Sequence, residues 1–292
     1  MSDTSKPIIW IAEIGQGHRG DINLLKHLVH KTIEAGASFV KFQLYNTNSI
    51  FDGSEPYYEP TLQAEVTKSQ SEFIGYLVKQ LGGRVLFSPF DEQRTGWSFE
   101  VLAMNYPNEE MYAIKLASRA AHDKNILTAI EAFKLMNKKK LLGIVSHGMR
   151  TFTKEKYASV FDEQLHLYCK SEYPCTYTEE NWLDMMESFR TGALDGLSDH
   201  SIGTAAIERA ISIGARVVEK HITYLDAPEA RYEAFKAKGG NCNCYIPATA
   251  SKPKVDFSFE EWIDYDRRTN GPDHVLSITP GQLCELIEKY KH

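Results

Sequence analysis

Short apolar runs alternate with amphipathic segments along most of the chain. Each run is rich in Val, Ile, Leu and aromatic residues, a composition that predicts buried β-strands. Eight strands are predicted in this way: IIWIAEI (8–14), SFVKFQ (38–43), RVLFSPF (84–90), MYAIKLA (111–117), KLLGIVS (140–146), QLHLYC (164–169), DGLSDH (195–200) and RVVEKHIT (216–223).

Helices are predicted between these strands. The first begins after an N-cap at Asp21 and stops at Gly36. Its predicted apolar face consists of Ile22, Leu25, Leu28, Val29 and Ile33. Later helices are predicted at 69–81, 93–104, 122–136, 153–162, 179–190, 204–214 and 279–290, the last opened by Thr279 and Pro280. Such regular alternation predicts an α/β fold with a parallel sheet, and eight units favour one closed (β/α)8 TIM barrel over residues 1–292.

Residues 225–270 interrupt this alternation. They lie between the eighth strand and the last helix and are far longer than an ordinary βα loop. The segment would leave the C-terminal face of the barrel, so it could be a lid over a site. A peripheral or oligomer-forming excursion is equally compatible with the pattern.

Composition narrows the class of protein. Hydrophobic residues make up 42% and charged residues 25%, as in soluble globular proteins. A net charge of −6 argues against a nucleic-acid or anionic-membrane partner. No apolar run is long enough for a signal peptide or a membrane span. Five cysteines, an odd number, favour a reducing, cytoplasmic setting over a disulfide framework.

Polar residues stand where the predicted strands end, which is where TIM barrels build their active sites. They are Glu13, Lys41 with Gln43, Ser88, Lys115 with Ser118, Ser146, Ser171 with Tyr173, Ser198 with His200, and Glu219 with His221. Lysine is rarely buried without a partner. Alone, either strand-end lysine could be a salt-bridged structural residue. Lys41 and Lys115 together, beside several hydroxyls, predict a pocket for phosphate and carboxylate groups.

The last two strands each end at a histidine, His200 and His221. Neutral imidazole is a good ligand for Mn²⁺, Fe²⁺ or Zn²⁺, and neighbouring strand ends can bring two rings to one ion. Two protein ligands leave positions open for water and a substrate oxygen, as Lewis-acid catalysis requires. A single strand-end histidine is more often structural, but the pair favours a metal site.

Three other sequence features are weaker indications of a functional site. GQGHRG (15–20) matches a dinucleotide fingerprint, but the second strand ends at Lys41 rather than at the acid expected for a ribose. CNC (242–244) lacks a second pair of ligands at zinc spacing and predicts free thiols. Neither Cys169 nor Cys175 has the helix-start or basic context of a nucleophile.

Nine motifs in chain order resemble those of the N-acetylneuraminate (sialic acid) synthase family. Here they are IAEIGQGHRGD, AGASFVKFQ, LFSPFD, YAIKLAS, VSHGM, CKSEYP, GLSDHSIG, VVEKHIT and GPDH. The family's counterparts are IAEIG-NHNGD, VKFQ, STPFD, YKI-SGE, LSTGM, EYP, SDH, EKHFT and GPDH. The resemblance covers nearly all of the barrel and is specific, because all nine motifs recur in register.

This resemblance implies a transferase that condenses phosphoenolpyruvate with an open-chain sugar aldehyde. The products would be a 3-deoxy-2-keto, sialic-acid-like acid and phosphate. It implies a phosphoenolpyruvate site made of Lys41, Ser88, Lys115, Ser118, Ser146, Ser171 and Ser198. It places Glu13, Gln43, Tyr173, Glu219 and Asp273 around the acceptor or a bound water. It makes His200 and His221 ligands of Mn²⁺, with Mg²⁺, Co²⁺ or Fe²⁺ as other candidates. Catalysis is assigned to Glu13, Lys41, Lys115, His200, Glu219 and His221, and a homodimer is implied.

Departures from the family pattern concern the acceptor half of the site. The usual C-terminal antifreeze-like domain, which donates an arginine across a dimer, has no counterpart in residues 1–292. The SGE motif reads Ser118-Arg119-Ala120, and His147 replaces a threonine. We therefore expect an acceptor other than ordinary N-acetylmannosamine, with 225–270 replacing the missing cap. Deleting that segment should then abolish acceptor binding and spare phosphoenolpyruvate binding.

Two other functions stay open. A lysine Schiff-base aldolase would use Lys115 or Lys220 on pyruvate or a keto sugar, and needs an amine of lowered pKa in a dry pocket. A non-catalytic sugar- or phosphate-binding barrel is the third reading. The complete lysine and histidine sets favour the metal-dependent synthase.

Overall fold

The eight strands close into a parallel barrel. In the computed structural model, which describes residues 7–148, 154–225, 228–237 and 257–291, each strand pairs with the next and the eighth pairs with the first. The strands are β1 (Ile9–Glu13), β2 (Phe39–Leu44), β3 (Val85–Pro89), β4 (Met111–Leu116), β5 (Lys140–His147), β6 (Glu163–Cys169), β7 (Gly196–Asp199) and β8 (Val217–His221). The predicted TIM barrel is confirmed, and each strand lies where its apolar run predicts.

Helices surround this barrel. They are α1 (Ile22–Glu34), α2 (Thr47–Ile50), α3 (Tyr58–Gln63), α4 (Lys68–Gln80), α5 (Glu92–Asn105), α6 (Lys124–Asn137), α7 (Glu179–Thr191), α8 (Ala205–Ser212), α9 (Pro228–Ala237), α10 (Phe259–Asn270) and α11 (Pro280–Lys289). The Asp21 carboxylate caps α1 by accepting from the amides of Asn23 and Leu24. Thr279 caps α11 in the same way, so both predicted starts are confirmed. Within the described parts of the chain, no helix is long and apolar enough to cross a bilayer.

Strand alternation separates two apolar layers. One layer faces the helices and includes Val40, Phe87 and Ile114. The other fills the barrel interior and consists of Ile11, Phe39, Leu86, Ala113, Ile144, Leu167 and Val217. Because successive strand residues point to opposite faces, one strand can contribute to both layers, as β2 does with Phe39 inside the barrel and Val40 facing the helices.

Two local predictions are wrong. The segment predicted as a helix at 153–162 contains only a short 3-10 helix, Lys154–Tyr157, within its described residues. Asp162 already hydrogen bonds to Leu141 of β5 through both its backbone and its side chain, so little chain is left for helical turns. Ile22 was placed on the buried face of α1, but it is 39% exposed because it occupies the first turn, at the rim.

The predicted insertion at 225–270 includes two helices, α9 and α10. Trp262 of α10 and Phe235 of α9 are buried, and Arg231 of α9 donates to Asp266 of α10 at 2.7 Å. Helix α10 also packs against α3, which follows β2. The CNC motif at 242–244 lies outside the described residues. The role of the segment as a lid stays a prediction.

Candidate active site

A layer of mainly polar side chains lies directly above the inner apolar layer. Each residue of the inner apolar layer is followed, two positions later on the same strand, by a residue of this second layer. These residues are Glu13, Lys41, Ser88, Lys115, Ser146, Cys169 and Glu219. Since side chains alternate with a period of two, these residues point into the same barrel interior at its C-terminal end. The alternation therefore gathers seven side chains, six of which the sequence predicts as site residues.

Lys41 and two carboxylates form the first part of this layer. Nζ of Lys41 donates to Oε1 of Glu219 at 3.0 Å and also contacts Oε2 of Glu13. Burial favours the neutral form of Glu13 more strongly than Lys41 favours its charge, so the pKa of Glu13 is raised. Burial also opposes ionisation of Glu219, but Lys115 and Lys41 outweigh it and lower its pKa to about 2. Glu219 is therefore the fixed negative charge of the layer, while burial raises the pKa of Glu13 despite its contact with Lys41.

Lys115 is the second cation of the layer and is almost completely buried. Its Nζ donates to Oγ of Ser146 at 2.7 Å and to the backbone carbonyl of Leu116 at 3.2 Å. Oε1 of Glu219 lies 3.7 Å from the same Nζ. Burial lowers the pKa of Lys115 to about 8, although Glu219 opposes this. Lys115 thus has less carboxylate contact than Lys41 and is better placed to pair with an incoming anion.

His200 and His221 come together as the sequence predicts, with ring centroids 5.6 Å apart. Nδ1 of His200 lies 2.9 Å from the carbonyl oxygen of Lys170. A carbonyl can only accept, so Nδ1 carries the proton and Nε2 keeps a lone pair. Burial lowers the pKa of His200 to about 4 and holds the pKa of His221 well below its usual range. Both rings are therefore neutral, as metal ligands must be.

The donor set around this pair suits a divalent cation. Nδ1 of His221 is buried, makes no hydrogen bond to any described residue, and lies 3.4 Å from Oδ2 of Asp273. Burial, with repulsion from Glu13, raises the pKa of Asp273 to about 7. Within the described chain, no group of three or more His, Cys, Asp or Glu side chains is arranged to hold a metal. The two neutral imidazoles alone would provide two ligands and leave the remaining coordination positions to water or a substrate.

A cavity of about 240 Å³ opens above these groups at the C-terminal end of the barrel. Eleven predicted site residues line it: Lys41, Gln43, Lys115, Ser118, Ser146, Tyr173, Ser198, His200, Glu219, His221 and Asp273. Three others do not line it. Glu13 lies behind Lys41, Ser171 shares a 2.9 Å hydrogen bond with Ser118, and Ser88 is fully buried. The cavity thus brings together most of the predicted site, with Glu13 and Ser171 each in contact with a lining residue.

Several lining residues were missed or undervalued from the sequence. They are Gln16, Tyr45, Ile50, Phe51, Tyr57, Thr61, Phe90, Ala117, Arg119, Cys169, Arg267 and Pro272. Many belong to the loop after β2, whose aromatic content in a βα loop was the available signal. Arg267 reaches the cavity from α10, a long way along the chain, and no local pattern indicates that placement.

Lys220 points away from the cavity that Lys115 lines. It follows Glu219 on β8 and so points out of the barrel, where its Nζ donates to Oδ2 of Asp199 at 2.5 Å. It is fully buried and does not line the cavity. The proposal of Lys220 as a Schiff-base lysine is therefore wrong, because the two-residue period of a strand puts neighbours on opposite faces.

Comparison with known proteins shows the family of this chain. Residues 28–234 match the NeuB family. The chain belongs to the NeuB family. The N,N'-diacetyllegionaminic acid synthase of Legionella pneumophila is 27% identical over 96% of this chain and 70% of its own length. The pseudaminic acid synthase of Helicobacter pylori is 30% identical over 72% of this chain and 64% of its own length.

The fold of this NeuB family member is shared with solved structures. The N-acetylneuraminic acid (sialic acid) synthetase of Leptospira borgpetersenii, solved with citrate, superposes with a TM-score of 0.70. That match covers 98% of this chain and 83% of the other at 20% identity. The resemblance drawn from the nine motifs is thus confirmed, and so is the expectation that the chain is an enzyme of the sialic acid synthase type.

Proposed function

We propose that this NeuB family enzyme condenses phosphoenolpyruvate with a sugar aldehyde, giving a 3-deoxy-2-keto acid of the nonulosonic type and inorganic phosphate. The observation that carries the proposal is one cavity lined by Lys41, Lys115 and the His200–His221 pair. A trianionic donor needs clustered cations, and an aldehyde needs an electrophilic partner for its oxygen. Relatives named as legionaminic and pseudaminic acid synthases support the product class.

The donor would bind over the two lysines. Lys115 and the hydroxyls of Ser118, Ser146 and Ser198 provide donors for the phosphate and carboxylate oxygens. Ser198 now donates to Oε1 of Glu219 at 2.8 Å, so the hydroxyl must turn to reach a ligand. Because the pKa of Glu13 is raised, this buried carboxyl can take up a proton as the donor arrives. Protonation would free the charge of Lys41 for the donor's anionic groups.

The reaction balances with one water. C3 of phosphoenolpyruvate forms the new bond to the aldehyde carbon, and the aldehyde oxygen takes up a proton to become a hydroxyl. Water adds to C2 and loses a proton, which gives a tetrahedral intermediate with a hydroxyl at C2. The bond between C2 and the phosphate oxygen then breaks, the hydroxyl becomes the keto group, and its proton leaves with the phosphate. Asp273 lines the cavity with a pKa raised to about 7, so it can hold or release a proton near the reacting oxygen.

A divalent cation, Mn²⁺ by our prediction, would be held by Nε2 of His200 and by His221. When bound, it supplies Lewis acidity toward the aldehyde oxygen. The chain's own contribution is to keep both imidazoles neutral and correctly oriented. Lys170 fixes the His200 tautomer through its carbonyl, and the Tyr173 ring packs against His200 with centroids 4.2 Å apart.

Phosphate release tests the proposal. Purified enzyme with phosphoenolpyruvate and Mn²⁺ is offered a panel of aldoses and amino sugars, and the product is identified by mass. We expect phosphate and a 3-deoxy-2-keto acid in equal amounts with at least one aldehyde. Phosphoenolpyruvate binding without phosphate release from any aldehyde would instead indicate a non-catalytic binding barrel.

One observation favours a second candidate. The lowered pKa of Lys115, about 8, is what a Schiff-base lysine requires. Borohydride treatment in the presence of pyruvate or a keto sugar separates the two mechanisms. A covalent adduct at Lys115, with activity insensitive to EDTA, would replace the condensing synthase by an aldolase. We expect neither result.

A further inference from the structure

Two arginines line the cavity away from its lysine floor. Arg119 follows β4 in the loop after Lys115 and Ser118, and Arg267 belongs to α10. Each guanidinium lies over an aromatic ring that also lines the cavity, Arg119 at 6.0 Å from the Phe90 centroid and Arg267 at 5.0 Å from that of Tyr57. The contact of Arg267 helps to hold its guanidinium in place. Arg119 is exposed and its contact is at the outer limit of this interaction, so its guanidinium is free to turn toward a ligand.

Neither arginine is neutralised by a carboxylate in the described part of the chain. Arg94, Arg209 and Arg268 each form an ion pair with Asp or Glu, whereas Arg119 and Arg267 form none with any described residue. Nε of Arg267 is buried and has no acceptor among the described residues. Nε of Arg94 also has no acceptor, but the other nitrogens of Arg94 pair with Asp91 and Glu65. Arg267 differs because it has no described carboxylate at all, which leaves it available to an anionic ligand.

The two arginines line one cavity together with Asp273. Arg119 reaches it from the loop after β4 and Arg267 from α10. Lys41 and Lys115, by contrast, are almost completely buried at the floor, where Glu13 and Glu219 pair with them. The cavity therefore has two buried lysines in contact with carboxylates and two less buried arginines with no described carboxylate, so a donor assigned to the lysines leaves the arginines to another anionic group.

We propose that Arg119 and Arg267 bind an anionic group, a phosphate ester or a carboxylate, carried by the acceptor sugar at a distance from its aldehyde. This inference rests on the proposed function, because it assigns the lysine floor to phosphoenolpyruvate. Two guanidinium groups match the charge of a phosphate monoester and can each present two parallel donors to it. The enzyme would then select an acidic sugar over the neutral sugar of the same skeleton.

Binding of unreactive analogues tests the proposal independently of turnover. Calorimetry compares three ligands: an N-acetylated alditol, its terminal phosphate, and the matching acid with a terminal carboxylate. We expect one or both anionic forms to bind about 100-fold more tightly than the neutral alditol, as charge-assisted bonds to two arginines allow. The relative affinities of the phosphate and the carboxylate identify which group the site takes.

Arg119→Gln and Arg267→Gln should each weaken the anionic ligand about tenfold or more and leave the neutral alditol unchanged. Arg268→Gln is the matched control, because Arg268 is the next residue on α10, pairs with Asp264 at 2.7 Å and does not line the cavity. It should bind all ligands as the unmodified enzyme does. Phosphoenolpyruvate affinity should be unaffected in all three variants.

The outcomes of these experiments distinguish the anion site at Arg119 and Arg267 from the proposed synthase activity. Equal affinity for neutral and anionic analogues, or a loss of phosphoenolpyruvate affinity instead of acceptor affinity in the arginine variants, would overturn the inference. Turnover of a neutral aldose with no gain from an acidic one would do the same while leaving the synthase proposal intact. If the enzyme binds the anionic analogue selectively but does not convert the corresponding anionic sugar aldehyde, the anion site is supported and the proposed synthase activity is contradicted.

Discussion

Lys41 of β2 and Glu219 of β8 share a 3.0 Å hydrogen bond although β1 lies between their strands. The bond spans the barrel interior, and the strand register also pairs Glu13 of β1 with Lys41 on one side and with His221 on the other. Glu219 contacts both buried lysines and Lys41 contacts Glu13, so these four residues form one ion-paired network beside His221. A change at Glu219 should therefore affect folding stability as well as ligand binding.

Replacing Glu219 by Gln should destabilise the fold. The substitution removes the ionised partner of two buried ammonium groups, and breaking a buried ion pair in this way reduces the free energy of unfolding by about 3 kcal/mol. Urea denaturation measures the change. Glu208→Gln is the control, since Glu208 pairs with Lys289 on the surface and its loss should leave the transition unchanged. A Glu219→Gln protein as stable as the unmodified one would contradict the network.

Phosphoenolpyruvate affinity should fall above pH 8. The pKa of Lys115 is lowered to about 8 by burial, so the free enzyme holds a neutral amine at higher pH and must take up a proton before it can pair with the donor. The dissociation constant should rise by up to about tenfold per pH unit, as measured by calorimetry. Lys115→Arg keeps its charge throughout and should abolish this alkaline loss. An affinity that stays constant between about pH 7 and 9.5 would argue against Lys115 in the donor site.

Removing either imidazole should abolish metal binding and turnover together. His200→Ala and His221→Ala each delete one of two proposed ligands, and Lewis-acid assistance worth several kcal/mol corresponds to a loss of about 10³-fold or more. Equilibrium dialysis with Mn²⁺ and the phosphate-release assay measure the two effects. His27→Ala, on the exposed face of α1, should change neither. If His200→Ala and His221→Ala both bind Mn²⁺ as the unmodified enzyme does, the cation binds at a site other than this histidine pair.

Gly196→Ala should destabilise the barrel next to the site. A Cβ at this position would lie 1.8 Å from the backbone oxygen of Val217 on β8, and a strand backbone cannot yield as a flexible side chain can. We expect a loss of about 3 kcal/mol or more, toward the upper end of overpacking effects. Gly96→Ala, within α5 and with nothing within 4 Å of the new methyl, should instead stabilise by about 0.5–1 kcal/mol. Thermal unfolding of both variants provides the comparison.

The sequence by itself determined the strands, the barrel and about half of the cavity lining. The position of each strand along the chain and the alternation of its residues are local properties. The inward positions of Lys41, Lys115 and Glu219 therefore follow from the apolar runs that precede them. The same alternation, applied one residue further along β8, would have placed Lys220 outside. The helix predicted at 153–162 was wrong because pairing of Asp162 with β5, a tertiary contact, overrides a helical pattern.

Only the tertiary structure decided which polar groups pair and which are left for a ligand. Burial sets the charge of Glu13, Lys115 and the two histidines, and burial depends on how the whole barrel closes. Lys41 meets Glu219 across β1, and α10 brings Arg267 to the cavity that Arg119 enters from β4. These contacts join residues far apart in the chain, so no periodicity encodes them; they follow from the closure of the barrel and the packing of its loops.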